Sequence, residues 1–103
     1  MVYQITLTDY NLIASKPLKT GYEEFIIPKE NVLTISAEQK DIADSLTKPK
    51  AYIDAQNLNK AVVIILKDEP HDRLVLEVSD PEAVILKLRV AMSAYPDTDS
   101  HGA

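Results

Sequence analysis

The chain has 103 residues, of which 46% are hydrophobic and 26% charged, and its formal net charge is −5. This length and composition are typical of one globular domain rather than of a disordered chain. The negative charge argues against nucleic-acid or anionic-membrane binding driven by overall charge. The absence of cysteine excludes disulfides, thiolate metal ligands and thiol nucleophiles.

No segment is typical of a membrane or secreted protein. The longest strictly apolar run, Ala61 to Leu66, has six residues, whereas a membrane-spanning helix needs about 20. The N-terminal residues have neither the basic start nor the continuous apolar stretch of a secretory signal. We therefore expect a cytoplasmic protein without membrane insertion.

The first third of the chain has the alternating pattern of β-strands. Tyr3, Ile5 and Leu7 share one face of a strand predicted over residues 2–8. Residues 9–21 contain Pro17 and Gly21 and are interpreted as a loop. Strands predicted over residues 22–27 and 32–35 flank turn-forming residues, which indicates a hairpin.

A short helix is predicted over residues 37–46. Ser36 and Gln39 have the spacing of a capping box, and Ile42 and Leu46 have the i, i+4 spacing of one helix face. Pro49 bars a longer helix, because the residue before a proline disfavours the helical region. A strand over residues 51–55 and a turn follow. Residues 60–67, nearly continuous in Val, Ile and Leu, then indicate a central strand buried on both faces.

The hydrophobic period changes within residues 74–88 from two to three or four. Leu74, Leu76 and Val78 point to one side of a strand over residues 73–78. Asp80 favours an extended backbone because it precedes Pro81, so the pair predicts an N-cap followed by the first helical residue. A strand therefore ends there and a helix begins at once.

The predicted C-terminal helix has one apolar stripe, and Pro96 is expected to end it. Residues 96–103 are then a flexible tail, and residues 1–95 are a single globular domain. The stripe consists of Val84, Ile85, Leu88, Ala91, Met92 and Tyr95.

These elements predict an α+β fold. We expect about six mostly antiparallel strands that form a bent sheet or a partly open barrel, closed by the long C-terminal helix. A two-layer arrangement with both helices on one face of a sheet is the alternative.

Residues 73–88, RLVLEV followed by SDPEAVILKL, resemble the last strand and closing helix of bacterial pleckstrin-homology-like domains, in which an Asp-Pro-Glu step often opens the helix. The closing helix here has no Trp, and the first strand lacks the basic residues that lipid-binding members use. Phosphoinositide binding is therefore not carried over. The resemblance implies a pleckstrin-homology-like scaffold that serves recognition rather than chemistry.

The motifs of common enzyme families are absent from the sequence. Its two glycines exclude a glycine-rich phosphate loop and a G-x-S-x-G nucleophile turn. His71 lies near Asp68, Glu69 and Asp72, which suggests a general base or a divalent-cation site, or more simply a charged, solvated turn. We prefer the last interpretation and predict a protein that is not an enzyme, with no catalytic residue, metal or cofactor.

Two Lys-Pro loops, SKPLK and TKPK, are each followed by a tyrosine. If the loops share one rim, their lysines form a positive patch for phosphate or carboxylate groups, and the tyrosines stack on a base or sugar. Alternatively, Lys and Pro at strand ends discourage edge pairing. The candidate ligand-binding residues are Lys16, Lys19, Lys48, Lys50, Tyr22 and Tyr52.

Two apolar residues, Leu86 and Val90, lie off the main stripe of the C-terminal helix. Either a loop covers them or they contact another copy or a partner protein. We predict a non-enzymatic recognition module that acts through protein–protein contacts, self-association among them, in a microbial or mobile-element context. The alternative is a small regulator that binds RNA or an anionic ligand through the Lys-Pro loops.

Overall fold

The computed structural model describes residues 2–67 and 70–100, with side chains as far as Val90 in the last helix. This part of the chain has an α+β fold with two separate sheets that do not close into a barrel. The elements are β1 (Gln4–Leu7), β2 (Asn11–Leu18), β3 (Gly21–Pro28), β4 (Val32–Ser36), α1 (Gln39–Ser45), β5 (Ala51–Asp54), β6 (Ala61–Leu66), β7 (Arg73–Glu77) and α2 (Pro81–Ser100).

The first sheet is antiparallel, with the order β1-β2-β3. Its middle strand, β2, occupies residues that were predicted to be a loop, so that prediction is wrong. Pro17 is compatible with the strand because the last residue of β1 to pair with β2 is Gln4, opposite Ser15. Pro17 lies two residues past Ser15, where β1 no longer runs beside β2. No residue of β1 is therefore left without the amide hydrogen bond that a proline cannot donate.

The predicted hairpin between β3 and β4 is also wrong, because the two strands belong to different sheets. A 3-10 turn, Lys29–Asn31, carries the chain from one sheet to the other. The amide of Lys29 donates to the Tyr10 carbonyl at 2.9 Å, and the amide of Lys67 donates to the Asn31 carbonyl at 2.9 Å. Turn-forming residues thus mark a change of direction without specifying which strands pair.

The second sheet has the order β4-β6-β7-β5. The prediction that residues 60–67 form a central strand buried on both faces is confirmed, since five of the six β6 residues are buried. The pairs β4–β6 and β6–β7 are antiparallel, whereas β5 and β7 are parallel. The parallel pair arises because β7 inserts between β5 and β6, which follow each other along the chain.

The short helix is confirmed as α1, but its predicted capping box is wrong. Ser36 is the last residue of β4, and the helix begins only at Gln39. The Ser36 hydroxyl therefore accepts the Glu38 amide at 3.1 Å and donates to the Asp41 carboxylate at 2.5 Å. It lies outside the position from which an N-cap side chain reaches the first helical turn.

The core has two parts, one on each face of the second sheet. Ile42 of α1 packs with Val63 and Val75 on one face. The opposite face packs against the first sheet and the beginning of α2. The two helices therefore cover opposite faces, and the alternative with both on one face is wrong. The larger part contains Tyr3, Ile5, Leu12, Ala14, Ile27, Val32, Val62, Ile64, Leu66, Leu74, Leu76, Val78, Ile85 and Leu88.

The beginning of α2 is as predicted. The Asp80 carboxylate accepts the Ala83 amide at 3.2 Å, which confirms Asp80 as the N-cap.

The helix continues past Pro96 to Ser100, so its predicted end is wrong. A proline within a helix removes one hydrogen bond and crowds the carbonyl four residues earlier, which is why the local sequence predicts an end there, but its fixed φ is compatible with a helix. The packing predicted for Ala91, Met92 and Tyr95 concerns side chains that the structure does not describe. The last three residues of the predicted tail also lie outside the described part of the chain. Neither described α-helix is long and apolar enough to cross a bilayer.

Candidate functional site

The carboxylate of Asp54 joins the two sheets. It lies at the end of β5, where the Lys16 ammonium of β2 donates to it at 2.5 Å and the Tyr3 hydroxyl donates to it at 2.8 Å. The Lys16 nitrogen also lies 5.2 Å from the centroid of the Tyr3 ring, within the range of a cation–π contact. We call Asp54, Lys16 and Tyr3 the inter-sheet clamp.

The clamp holds each of its groups in the protonation state that is ordinary at neutral pH. Burial favours a higher pKa for Asp54, but the hydrogen bonds from Lys16 and Tyr3 outweigh burial and lower that pKa. The hydrogen bond to Asp54 raises the pKa of Lys16, and burial followed by the same carboxylate raises the pKa of Tyr3. All three pKa values move away from neutrality, whereas a general acid or base has a pKa near the working pH.

A cavity of about 440 Å³ opens beside the clamp. The Oε1 atom of Glu77 accepts the amides of Gln56 and Asn57 at 2.8 and 3.1 Å, and these two hydrogen bonds lower the pKa of Glu77. Both carboxylates of the cavity therefore already have donors within the protein. The lining residues are Lys16, Pro17, Leu18, Lys19, Asp54, Gln56 and Glu77.

The structure brings only two of the four candidate lysines to this cavity. Lys16 and Lys19 line it, and Lys48 and Lys50 do not. The second pair lies just before β5, and the clamp carboxylate lies at the end of that strand. At roughly 3.3 Å per residue, the backbone of Asp54 is about 13 Å along the strand from that of Lys50. The Lys48 ammonium lies 3.7 Å from the carboxylate of Asp44.

The two candidate tyrosines have different surroundings. Tyr22 is 72% exposed. The half-buried ring of Tyr52 lies 5.1 Å from Phe25 and 5.4 Å from His71, centroid to centroid, and its hydroxyl donates to the Glu23 carboxylate at 3.3 Å. Burial, and then the charge of Glu23, raise the pKa of Tyr52. These contacts fit a packing role for Tyr52 better than stacking on a ligand.

The hypothesis of a site around His71 is tested only in part. Asp68 and Glu69 lie outside the described residues. Among the residues that the structure does describe, no group of three or more acidic or histidine side chains could hold a metal ion. The prediction of a charged, solvated turn with no catalytic or metal-binding role therefore stays a prediction.

The outer side of α2 carries two exposed aliphatic residues among charged ones. Leu86 is 66% exposed and Val90 is 62% exposed, so the interpretation that a loop covers them is wrong. Leu86 borders a groove of about 340 Å³ between α2 and the segment that leads into α1. The groove is lined by Ala37, Glu38, Glu82, Ile85, Leu86 and Arg89.

Sequence reasoning missed the clamp carboxylate, and only the structure shows which side of β5 faces inward. Tyr52 and Asp54 are two residues apart and so share one face of the strand, whereas Ile53, on the other face, is 44% exposed. An acid on the same face as a packed aromatic ring indicates a charge that needs a partner inside the protein.

Comparison of the chain with protein family models, curated proteins and solved structures found no match. Its function must therefore be inferred from the surfaces themselves. The clamp is internally satisfied, whereas the groove beside Leu86 is open.

Proposed function

We propose that this protein is a non-enzymatic recognition module that works through protein–protein contacts, with a second copy of the chain bound along α2. The observation that carries the proposal is the exposure of Leu86 and Val90 beside an apolar groove. Leu86 and Val90 are four residues apart on one helix, so their side chains are neighbours on its surface rather than isolated exposed residues.

The second copy is favoured because the charges around Leu86 are self-complementary. With 3.6 residues per turn, Glu82, Leu86 and Arg89 fall within about 60° of one another around the helix. Glu82 comes before Leu86 and Arg89 after it, and both are exposed. In an antiparallel pair of helices with a two-fold axis near Leu86, each Glu82 lies opposite the Arg89 of the other copy.

The contact between the helices is expected to be weak on its own. Interfaces smaller than about 1,200 Å² belong to weak or transient complexes. Exposed ion pairs add about 0.2–1 kcal/mol each. We therefore expect dimers at protein concentrations of about 0.1–1 mM and monomers at low micromolar concentration.

Two observations support recognition rather than chemistry. The clamp groups have pKa values that move away from neutrality, which makes them poor proton-transfer groups. The direct succession of β7 and α2, with Asp80 as the N-cap, is compatible with a pleckstrin-homology-like scaffold, and such a scaffold mostly serves recognition. The parallel pair of β5 and β7 departs from an all-antiparallel arrangement.

Binding of RNA or an anionic ligand through the Lys-Pro loops has less support. Lys16 is engaged by Asp54, and Lys48 lies within ion-pair distance of Asp44. Lys16 and Lys19 share the clamp cavity with two carboxylates, so the cavity has no net positive charge. An anion would have to compete with those carboxylates for the same ammonium groups.

Sedimentation equilibrium of the purified chain and of charge variants tests the proposal. The wild type should dimerise, and Glu82→Arg or Arg89→Glu should weaken the dimer because each places like charges opposite each other. The double variant carrying both changes should restore dimerisation, because it exchanges the two charges without removing the pairing.

Leu86→Glu should abolish dimerisation, and Ile53→Glu is its matched control. Ile53 is also an exposed aliphatic residue, but it lies on β5 rather than on α2. A wild type that stays monomeric at about 1 mM would contradict the proposed self-association. Equal dimerisation of the wild type and the Leu86→Glu variant would place the contact elsewhere and reject α2 as the site.

A further inference from the structure

The strand β3 is an open edge of the first sheet. It pairs with β2 through eight residues in unbroken register, from Gly21 to Pro28. Edge strands are usually protected by lysines, bulges or covering loops. The edge strand β4 of the other sheet has such a break in register, between Val32 and Thr34. β3 has no such break in register, and its protective features are the terminal Pro28 and the charged side chains of Glu23 and Glu24.

The hydrogen bonds next to β3 show which of its backbone groups face outward. The Lys29 amide donates to the Tyr10 carbonyl, directly beyond the Asn11–Pro28 pair. Because hydrogen-bonded and non-hydrogen-bonded pairs alternate in an antiparallel ladder, residues 27, 25 and 23 bond to β2 and residues 26, 24 and 22 face away from it. Among the described residues, β3 pairs with no strand other than β2, and no turn or loop hydrogen bond involves the backbone of Tyr22, Glu24 or Ile26.

A cavity of about 350 Å³ lies beside this edge, between β3 and the residues around the β6–β7 turn. A strand added to β3 would direct every second side chain toward the inner side of the sheet, where Phe25 and Ile27 lie. The cavity is predominantly apolar and is lined by Phe25, Ile26, Ile27, Pro28, Asn31, Leu66, Pro70, His71 and Leu74.

We propose that the β3 edge binds an extended segment of a partner protein by β-strand addition. Unpaired amides and carbonyls spaced every two residues are complementary to an extended peptide backbone. The cavity selects apolar side chains at the inward positions of that segment. The exposed carboxylate of Glu24, which lies in the middle of the outward series, selects a basic side chain opposite it.

A second copy of β3 is a poor occupant of this edge. A two-fold axis at the middle of the outward series would place Glu24 opposite Glu24 of the other copy, and directly opposed like charges destabilise a strand pair. The peptide site therefore does not depend on the self-association proposed for α2, and the two sites can be tested separately.

The test uses a blocked seven-residue peptide in which Lys and Val alternate, added to the full chain, with amide hydrogen exchange followed by NMR. The amides of Tyr22, Glu24 and Ile26 should exchange rapidly in the free protein and become protected when the peptide is present. The amides of Phe25 and Ile27 should be protected in both states, because they bond to β2.

Two variants isolate the backbone pairing. Glu24→Pro removes one outward amide without removing a bond to β2, and we expect binding to weaken at least about tenfold. Glu24→Thr keeps the amide and removes only the charge, so it should weaken binding less. A peptide that is N-methylated at every second residue should not bind, a result that does not depend on how well the proline variant folds.

Two results would overturn the proposal. One is that the amides of Tyr22, Glu24 and Ile26 stay unprotected at about 1 mM peptide, a concentration that detects even weak binding. The other is that the N-methylated peptide binds as tightly as the parent peptide, since binding would then not use the backbone of β3.

Discussion

Asp54 illustrates how a single partly buried charge can hold two layers of a small protein together. Its carboxylate accepts hydrogen bonds from Lys16 and Tyr3, which belong to the N-terminal part of the chain, while Asp54 itself lies on β5. Removing one partner of such a group leaves the others without their hydrogen bonds, which costs about 1–3 kcal/mol. The clamp is therefore expected to contribute to stability rather than to catalysis.

We predict that Asp54→Asn lowers the free energy of unfolding by about 1–3 kcal/mol near pH 7. The reason is that the amide cannot form the ion pair with Lys16. The pKa of Asp54 is lower in the folded chain, so its contribution is present above the ordinary Asp pKa of about 3.9. It is lost as the pH falls through the folded-state pKa.

Urea unfolding at a series of pH values measures this effect. The difference in stability between wild type and Asp54→Asn should be constant between about pH 5 and 8 and should shrink below about pH 4. Asp9→Asn, at an exposed position in the turn between β1 and β2, is the control and should change stability by less than about 0.5 kcal/mol. A difference that is independent of pH down to pH 2 would show that charge is not the cause.

At the scale of the elements, an uninterrupted hydrophobic period was a good guide. The continuous apolar run of β6 predicted that strand and its burial on both faces, and the alternation in β7 predicted the strand but not the burial of Val75 under α1. The period could not reveal β2, because Pro17 is typical of a loop. Only the short partner strand β1 makes the proline acceptable, and the length of a partner strand cannot be read from the local sequence.

The start of α2 is the element boundary that sequence located best, and it makes a quantitative prediction. Asp80→Ala should lower the free energy of unfolding by about 0.5–2 kcal/mol, because the Ala83 amide loses its acceptor. Asp80→Asn should retain most of that stability, since the asparagine oxygen accepts the same hydrogen bond. Thermal unfolding of the two variants compares them directly, and equal stability of the alanine and asparagine variants would contradict the capping role.

At the scale of the whole molecule, the pairing of distant segments was beyond sequence reasoning. Lys16 and Asp54 are 38 residues apart, and β5 pairs with β7 although β6 follows it in the chain. Such contacts depend on which strands become neighbours, and a single sequence holds no local signal for that choice. The candidate lysines were separated for the same reason, because β5 lies between Lys50 and the clamp carboxylate.

The exposure of the two candidate contact residues was easier to predict from the sequence than the arrangement of the candidate ligand-binding residues. Exposure of Leu86 and Val90 follows from their position off the main stripe, which is a property of one helix. A ligand site built from two loops needs the tertiary arrangement instead. The exposure of Leu86 and Val90 is therefore expected from the sequence and present in the structure, whereas their role in binding is a proposal.

Disulfide cross-linking through Leu86→Cys is the most direct test of that surface. The chain contains no cysteine, so the introduced thiol is the only one present. Under mild oxidation we predict a disulfide-linked dimer, because the two copies of residue 86 lie near the proposed two-fold axis. Lys87→Cys, about 100° further around the helix, should form much less dimer. Equal cross-linking of the two variants, or none with Leu86→Cys at about 0.5 mM protein, would contradict the proposed contact along α2.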